Sequence, residues 1–217
     1  MDNCSYGKEQ LESLATSSEF AACLLANFHH FVALGPRFHG GCGSYLFDGG
    51  TYRYEPRMIK KLEALFEVGK KSTRVLEVGV YLGHSLLILL LSNPNLKIVG
   101  IDNDSQFSPA AVDYLNKHFG NRIEFHLGDS ATVLSRPETL GVFDCIHIDA
   151  DHHEGPVRRE FELTKPLASP NAYFVFDDYE ALRGLIDSWI QSGELLHVET
   201  PFCIWTNIVT KLNNVSS

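Results

Sequence analysis

From residue 73 onward the chain alternates between two hydrophobic periods. Runs rich in aliphatic and aromatic residues, Val75–Val78, Lys97–Ile101, Ile123–Leu127, Phe143–Ile148 and Ala172–Phe176, read as strands. Between them lie stretches of helical spacing: Gly83–Ser92, Pro109–Phe119, Ser130–Leu134, Gly155–Leu167 and Tyr179–Gln191. Two further strands, near His197–Thr200 and Cys203–Leu212, follow across a two-residue link. Strands alternating with helices predict βαβ units and a mostly parallel sheet, with the closing hairpin as its antiparallel pair. Upstream, apolar positions at i, i+3 and i+4 predict a helix from Ser17 or Ser18 through Phe20, Cys23, Leu24, Phe28 and Phe31, ended by Gly35-Pro36. Residues 36–53, rich in glycine and aromatics, suit either a lid over a site or an irregular packed connector. After Pro56 a second helix presents Met58, Ile59, Leu62, Leu65 and Phe66 on one face. The expected organisation is a helical extension with its glycine- and aromatic-rich loop over residues 1–60 and an α/β domain over residues 61–217.

Composition narrows this little. A chain of 217 residues with 44% hydrophobic positions supports one well-packed domain. A net charge of −9 argues against nucleic acid as partner. The most apolar stretch, Ser85 to Leu91, is too short to span a bilayer, and no secretory signal is visible, so the expectation is a cytoplasmic protein without a membrane partner. The cysteines, Cys4, Cys23, Cys42, Cys145 and Cys203, are scattered and form no C-x-x-C pair, which fits free thiols in a reducing compartment.

The chemistry begins at Glu77-x-Gly79-x-x-x-Gly83, where a strand enters a glycine turn and then a helix. Glycine permits φ > 0 and close approach of a ligand to the main chain. The dinucleotide pattern G-x-G-x-x-G is absent, which counts against a nicotinamide-dependent oxidoreductase. An acidic glycine turn suits a ligand with a cationic methionine end and an adenosine end better than a pyrophosphate. Acids then recur at the strand ends: Asp102 after Ile101, Asp129-Ser130 after Leu127, Asp149 with Asp151, His152 and His153 after Ile148, and Asp177-Asp178 after Phe176. A parallel sheet brings these ends to one edge, outside which ligands bind. Asp102 stands where a carboxylate takes the ribose hydroxyls of an adenosine. Asp129 and Ser130 either meet an adenine or cap the next helix. Asp149, Asp177 and Asp178 either hold a hard divalent cation such as Mg²⁺ or act as caps. A bound cation of this kind lowers the pKa of a substrate hydroxyl. Asp151, His152, His153 and Glu154 crowd one loop, where one of them could serve as a general base, or the His152-His153 pair could mark a transition-metal site.

The run Leu76-Glu77-Val78-Gly79-Val80-Tyr81-Leu82-Gly83-His84-Ser85 resembles the first motif of class I S-adenosylmethionine-dependent methyltransferases, and within them the catechol-type O-methyltransferases. The resemblance implies a Rossmann-like, mostly parallel seven-stranded sheet. It places Glu77, Gly79, Tyr81, Gly83 and Ser85 at the methionine end of the cofactor, Asp102 on the ribose and Gly128-Asp129-Ser130 at the adenine. The loop Asp149–His153 with the later Asp177-Asp178 is similar to the branch that methylates sugars of natural products. There the metal ligands map to Asp149, Asp177 and Asp178, with Asp149 also beside the cofactor, and the base maps to Asp151. Catechol-type enzymes carry a lysine base at the position of His152. The implied reaction is methylation of a hydroxyl on a sugar or phenolic small molecule, with a homodimer as the implied assembly. A metal-independent methyltransferase and a non-catalytic cofactor-binding protein are the alternatives.

Overall fold

The computed structural model describes residues 12–16, 18–34, 47–48, 51–52, 56–201 and 206–213. Its order is α1 (Glu19–Ala26), α2 (Phe28–Leu34), β1 (Phe47–Asp48), β2 (Thr51–Tyr52), α3 (Pro56–Lys70), β3 (Arg74–Val78), α4 (His84–Ser92), β4 (Lys97–Asp102), α5 (Ser108–Phe119), β5 (Ile123–Leu127), α6 (Ser130–Leu134), β6 (Phe143–Ile148), α7 (Glu154–Thr164), β7 (Ala168–Phe176), α8 (Tyr179–Gln191), β8 (Leu195–Glu199) and β9 (Ile208–Leu212). Strands β3 to β9 form one sheet in the order β5-β4-β3-β6-β7-β9-β8. Its first five members are parallel, while β9 runs antiparallel to both β7 and β8. This is the α/β, Rossmann-like architecture expected from the strand–helix alternation, and the closing pair supplies the antiparallel edge.

The central strands are largely apolar because both of their faces are covered, with Glu77 and His147 as buried polar exceptions. Val75, Ile98, Ile123, Cys145 and Val175 point into a core shared with α1 to α5. Leu76, Val99, Ile146, Phe174 and Phe176 point into a second core closed by α6, α7 and α8. Helices α1 and α2 bury Phe20, Leu24, Phe28 and Phe31 in the first of these cores.

The single N-terminal helix expected from the spacing is two. The break falls at Asn27, which leaves helical geometry (φ −112°, ψ 15°) and whose side-chain amide donates to the Cys23 carbonyl at 2.9 Å. Apolar spacing carries across this break, so the sequence pattern hides it. Helix α3 runs unbroken across residues 60 and 61, the expected boundary. Strand β7 begins at Ala168, earlier than the apolar run, and a register shift against β6 lies between Phe143 and Cys145. Of the glycine- and aromatic-rich stretch, only the short antiparallel pair β1–β2 falls within the described residues. Cys4, Cys42 and Cys203 lie outside them. Among the described residues no helix is long and apolar enough to cross a membrane.

Candidate active site

Strand β3 ends at Val78, and the chain leaves the sheet with Gly79 at φ 96°, Tyr81 at φ 44° and Gly83 at φ 76°. Glycine is required twice over at position 79. Its φ lies in the left-handed half of the map, and a Cβ there would overlap the Asp149 carbonyl and fall 2.7 Å from the Cα of Ala150. Asp102, at the end of the neighbouring strand, splints the turn. Its Oδ2 accepts from the Val80 and Tyr81 N–H groups at 2.7 and 2.6 Å, and its Oδ1 accepts from the Asp104 N–H at 2.7 Å. A carboxylate has about four acceptor sites, so capacity remains for a ligand hydroxyl. The turn opens on a cavity of about 960 Å³ whose wall includes Gly79, Tyr81, Ser85, Asp102, Asp129, Ser130, Asp149, Asp151, His152, Asp177 and Asp178. That is nearly every site residue expected from the sequence, in one concavity of ligand-binding size.

Glu77 and Gly83 are not part of the wall. Glu77 lies fully buried beneath the turn. Its Oε1 accepts from the Ser85 hydroxyl, and its Oε2 lies 3.1 Å from Nδ1 of His147, its register partner on β6. Burial alone would lower the His147 pKa. The Glu77 charge and hydrogen bond, with the Asp177 charge, outweigh it and raise the imidazole above its ordinary value. Donor atoms of Glu77, His147 and Asp149 all lie within 4.8 Å of one another.

Asp149 and Asp177 end adjacent strands, since Ile148 and Phe176 are register partners, and their carboxyls share a hydrogen bond. Lys61, from α3, reaches under the sheet edge: its Nζ lies 2.8 Å from Asp177 Oδ1, and the residue is 1% exposed. Burial first, then the Asp177 charge, pushes the Asp149 carboxyl well above the usual carboxylate range. Burial acts on Asp177 in the same sense, but the Lys61 charge and the hydrogen bonds from Asp149 and Lys61 hold it below. Burial and the Asp177 charge thus favour the protonated form of Asp149, while Lys61 favours the charged form of Asp177. Asp178 stands in the left-handed region (φ 48°) as the residue before α8, and its Oδ2 lies 3.1 Å from His152 Nδ1. Burial and the Asp177 charge push its pKa up, with His152 opposing. Thus Asp149 and Asp177 meet directly, while the Asp178 carboxyl turns to His152. Asp151 accepts from the His153 N–H at 2.8 Å and lies 2.6 Å from its Nδ1, and these hydrogen bonds hold its carboxyl below the ordinary range.

At the other end of the cavity, Asp129 caps α6 by accepting from the N–H and hydroxyl of Thr132 at 2.9 and 2.8 Å. The Ser130 hydroxyl donates to Glu160 Oε1 on α7 at 2.7 Å. Lys61, His147 and Glu160 do not emerge from the motif reading. For Lys61 a signal exists: it stands three residues after Met58 and four before Leu65, on the apolar face of its helix. For His147 the signal is a polar residue inside the apolar run Cys145–Ile148.

Residues 76–179 match the family model of a methyltransferase domain. A curated relative, uncharacterized protein R132 of Acanthamoeba polyphaga mimivirus, is 26% identical over 143 residues, which cover 62% of this chain and 63% of that protein. The chain thus spans just under two thirds of that relative's length. Among solved structures, the O-methyltransferase from Bacillus cereus in complex with SAH is 16% identical with a TM-score of 0.62, over 93% of this chain and 96% of that one. MycE methyltransferase from the mycinamycin biosynthetic pathway, in complex with Mg, SAH and mycinamycin VI, is 22% identical with a TM-score of 0.53, over 71% of this chain and 49% of that one. At these identities the solved structures speak to fold. Residues 76–179 thus match a methyltransferase domain, and the likeness to solved methyltransferases extends as a shared fold across the sheet.

Proposed function

We propose that this chain transfers the methyl group of S-adenosylmethionine to a hydroxyl of a small molecule, a sugar or phenolic metabolite. The observation that carries the reading is the meeting, in one cavity, of the Gly79 turn splinted by Asp102 with the buried acids Asp149 and Asp177. In this reading Gly79, Tyr81 and Ser85 border the methionine end, Asp102 takes the ribose, and Asp129 and Ser130 border the adenine. S-adenosylmethionine supplies a methyl already activated on a sulfonium, which departs as a thioether. The protein's task is then to align the acceptor oxygen and remove its proton. His152 is the better base of the two expected. It lines the cavity, and Asp178 beside Nδ1 orients the ring so that Nε2 accepts. Asp151, held by His153, is the poorer proton acceptor.

The donor set also suits a divalent cation. Asp149, Asp177 and Asp178 bring three carboxyls to one wall of the cavity, oxygen ligands of the kind Mg²⁺ takes. Asp149, Asp177 and Asp178 would hold it, and it would acidify a coordinated hydroxyl. The magnesium in the MycE complex is in keeping with this. A second, cation-independent reading is favoured by Lys61, whose ammonium already balances Asp177. Calorimetric titration of Mg²⁺ or Mn²⁺ into protein saturated with S-adenosylhomocysteine separates the two. One-to-one binding that is lost in Asp149→Asn supports the cation. Absence of metal binding with the homocysteine product still bound leaves Lys61 as the resident charge. Failure of that product to bind overturns the cofactor assignment.

A further inference from the structure

Glu160 stands on the cavity wall and is 4% exposed. Its two carboxyl oxygens are treated unequally. Oε1 accepts from the Ser130 hydroxyl at 2.7 Å, while Oε2 is buried without a hydrogen-bond partner. An unsatisfied buried carboxyl oxygen is costly, and native interiors rarely leave one without a reason. The charges that act on Glu160 are those of Asp151 and Asp129, both negative, so no ion pair compensates it. With burial they push the carboxyl up to about 7. The group is thus an acceptor awaiting a donor.

Its place in the fold says which donor. The sheet order β5-β4-β3-β6-β7 sets the loop after β5, residues 128–130, on one side of Asp102, and Asp149 with Asp177 on the other. Glu160 is tied to the first side through Ser130. If Asp102 holds the ribose, as the proposed function has it, the base of the nucleoside lies toward Glu160 and the methionine portion toward Asp149. We infer that Glu160 reads the adenine of the cofactor, with Oε2 accepting an N–H of its exocyclic amine. The inference rests on the cofactor assignment above and adds a residue to it. Ser130 in this arrangement positions the carboxylate instead of touching the base. The same oxygen would also accept from an amine on the methyl acceptor, but such an amine would have to lie on the nucleoside side of the ribose.

The test is a comparison of two ligands, S-adenosylhomocysteine and S-inosylhomocysteine, which carries a carbonyl in place of the exocyclic amine. Both are titrated calorimetrically at about pH 9, where the wild-type carboxyl is ionised, into the wild-type chain and into Glu160→Gln. The wild type is expected to prefer the adenosyl ligand by roughly 10- to 100-fold, because the carbonyl faces a carboxylate oxygen. In Glu160→Gln the side-chain oxygen still accepts from Ser130 and the amide N–H₂ turns to the ligand. The preference is then expected to fall to parity or to reverse in favour of the inosyl ligand. A structural tie between α6 and α7 would weaken both ligands alike, so an unchanged ratio overturns the inference. Equal affinity of the wild type for the two ligands overturns it without recourse to any variant. If the wild type binds neither ligand, the cofactor assignment itself fails and the inference with it. Wild-type preference for the adenosyl ligand with an unchanged ratio in Glu160→Gln sinks the Glu160 role alone.

Discussion

The two halves of the cavity are built from different materials. Around Gly79 and Asp102 the wall is main chain, with N–H groups aimed at a carboxylate and positive φ angles made possible largely by glycine. Around Asp149 and Asp177 the wall is buried polar side chains, two carboxyls and an ammonium. The first half is set by a strand, a turn and the next strand. The second needs α3, β6 and β7 to arrive together, with Lys61 and Asp177 separated by 116 positions. Shape is secured locally and charge is secured globally, so the halves should fail in different ways.

The sharpest way to break the contrast is Lys61→Met. Removing one member of a buried ion pair leaves an uncompensated charge and is expected to cost about 3–5 kcal/mol in urea unfolding. The double variant Lys61→Met/Asp177→Asn should regain part of that loss. If a cation shares the site, Lys61→Met should also bind Mn²⁺ more tightly than the wild type. Next comes Gly79→Ala. Left-handed geometry alone costs about 1–3 kcal/mol for a non-glycine residue, and the overlap with Asp149 adds to it. Binding of S-adenosylhomocysteine should be lost in calorimetry even at temperatures where the variant remains folded.

A pH series probes the nucleoside end. The Glu160 carboxyl titrates near 7 in the folded chain against an ordinary 4.5. Between these values the folded state holds a proton that the unfolded chain has released. The Glu160 contribution to the stability of the ligand-free protein therefore falls as pH rises through that window and is constant above it. Glu160→Gln should remove this contribution, raising stability by about 3 kcal/mol at pH 8 and leaving it nearly unchanged at pH 4, as read from denaturant midpoints. The smallest effect is expected from Asp102→Ala, which removes the acceptor of the Val80 and Tyr81 N–H groups. Affinity for S-adenosylhomocysteine should fall roughly tenfold, with Mn²⁺ binding little changed.

The contrast also explains what was legible in the sequence. The Gly79 turn, Asp102 and the acids of β5, β6 and β7 could be read because strand ends in a parallel sheet share one edge. Glu77 was misread in one respect. It precedes the turn in sequence, but strand alternation sends its side chain beneath the sheet edge to His147, out of the cavity. The His147 partnership depends on β3–β6 register, which no spacing within either strand encodes. Lys61 looks like an ordinary helical lysine until α3 is docked. Asn27 breaks a helix whose apolar period continues on either side, so the break left no mark in the pattern.

One close contact limits how this cavity can be remodelled. Gly79 packs directly on the backbone of Asp149 and Ala150, so the cofactor turn and the first acid share a rigid seam. An engineer seeking a new acceptor therefore has little freedom at residues 149 and 150, where any backbone shift is felt at the turn. The side chains beyond the seam, Asp151 to His153, project from an exposed or half-exposed loop and carry no such restraint. Libraries aimed at acceptor choice belong there, at Asp151 and His153, with His152 kept as the proposed base and residue 150 as their boundary.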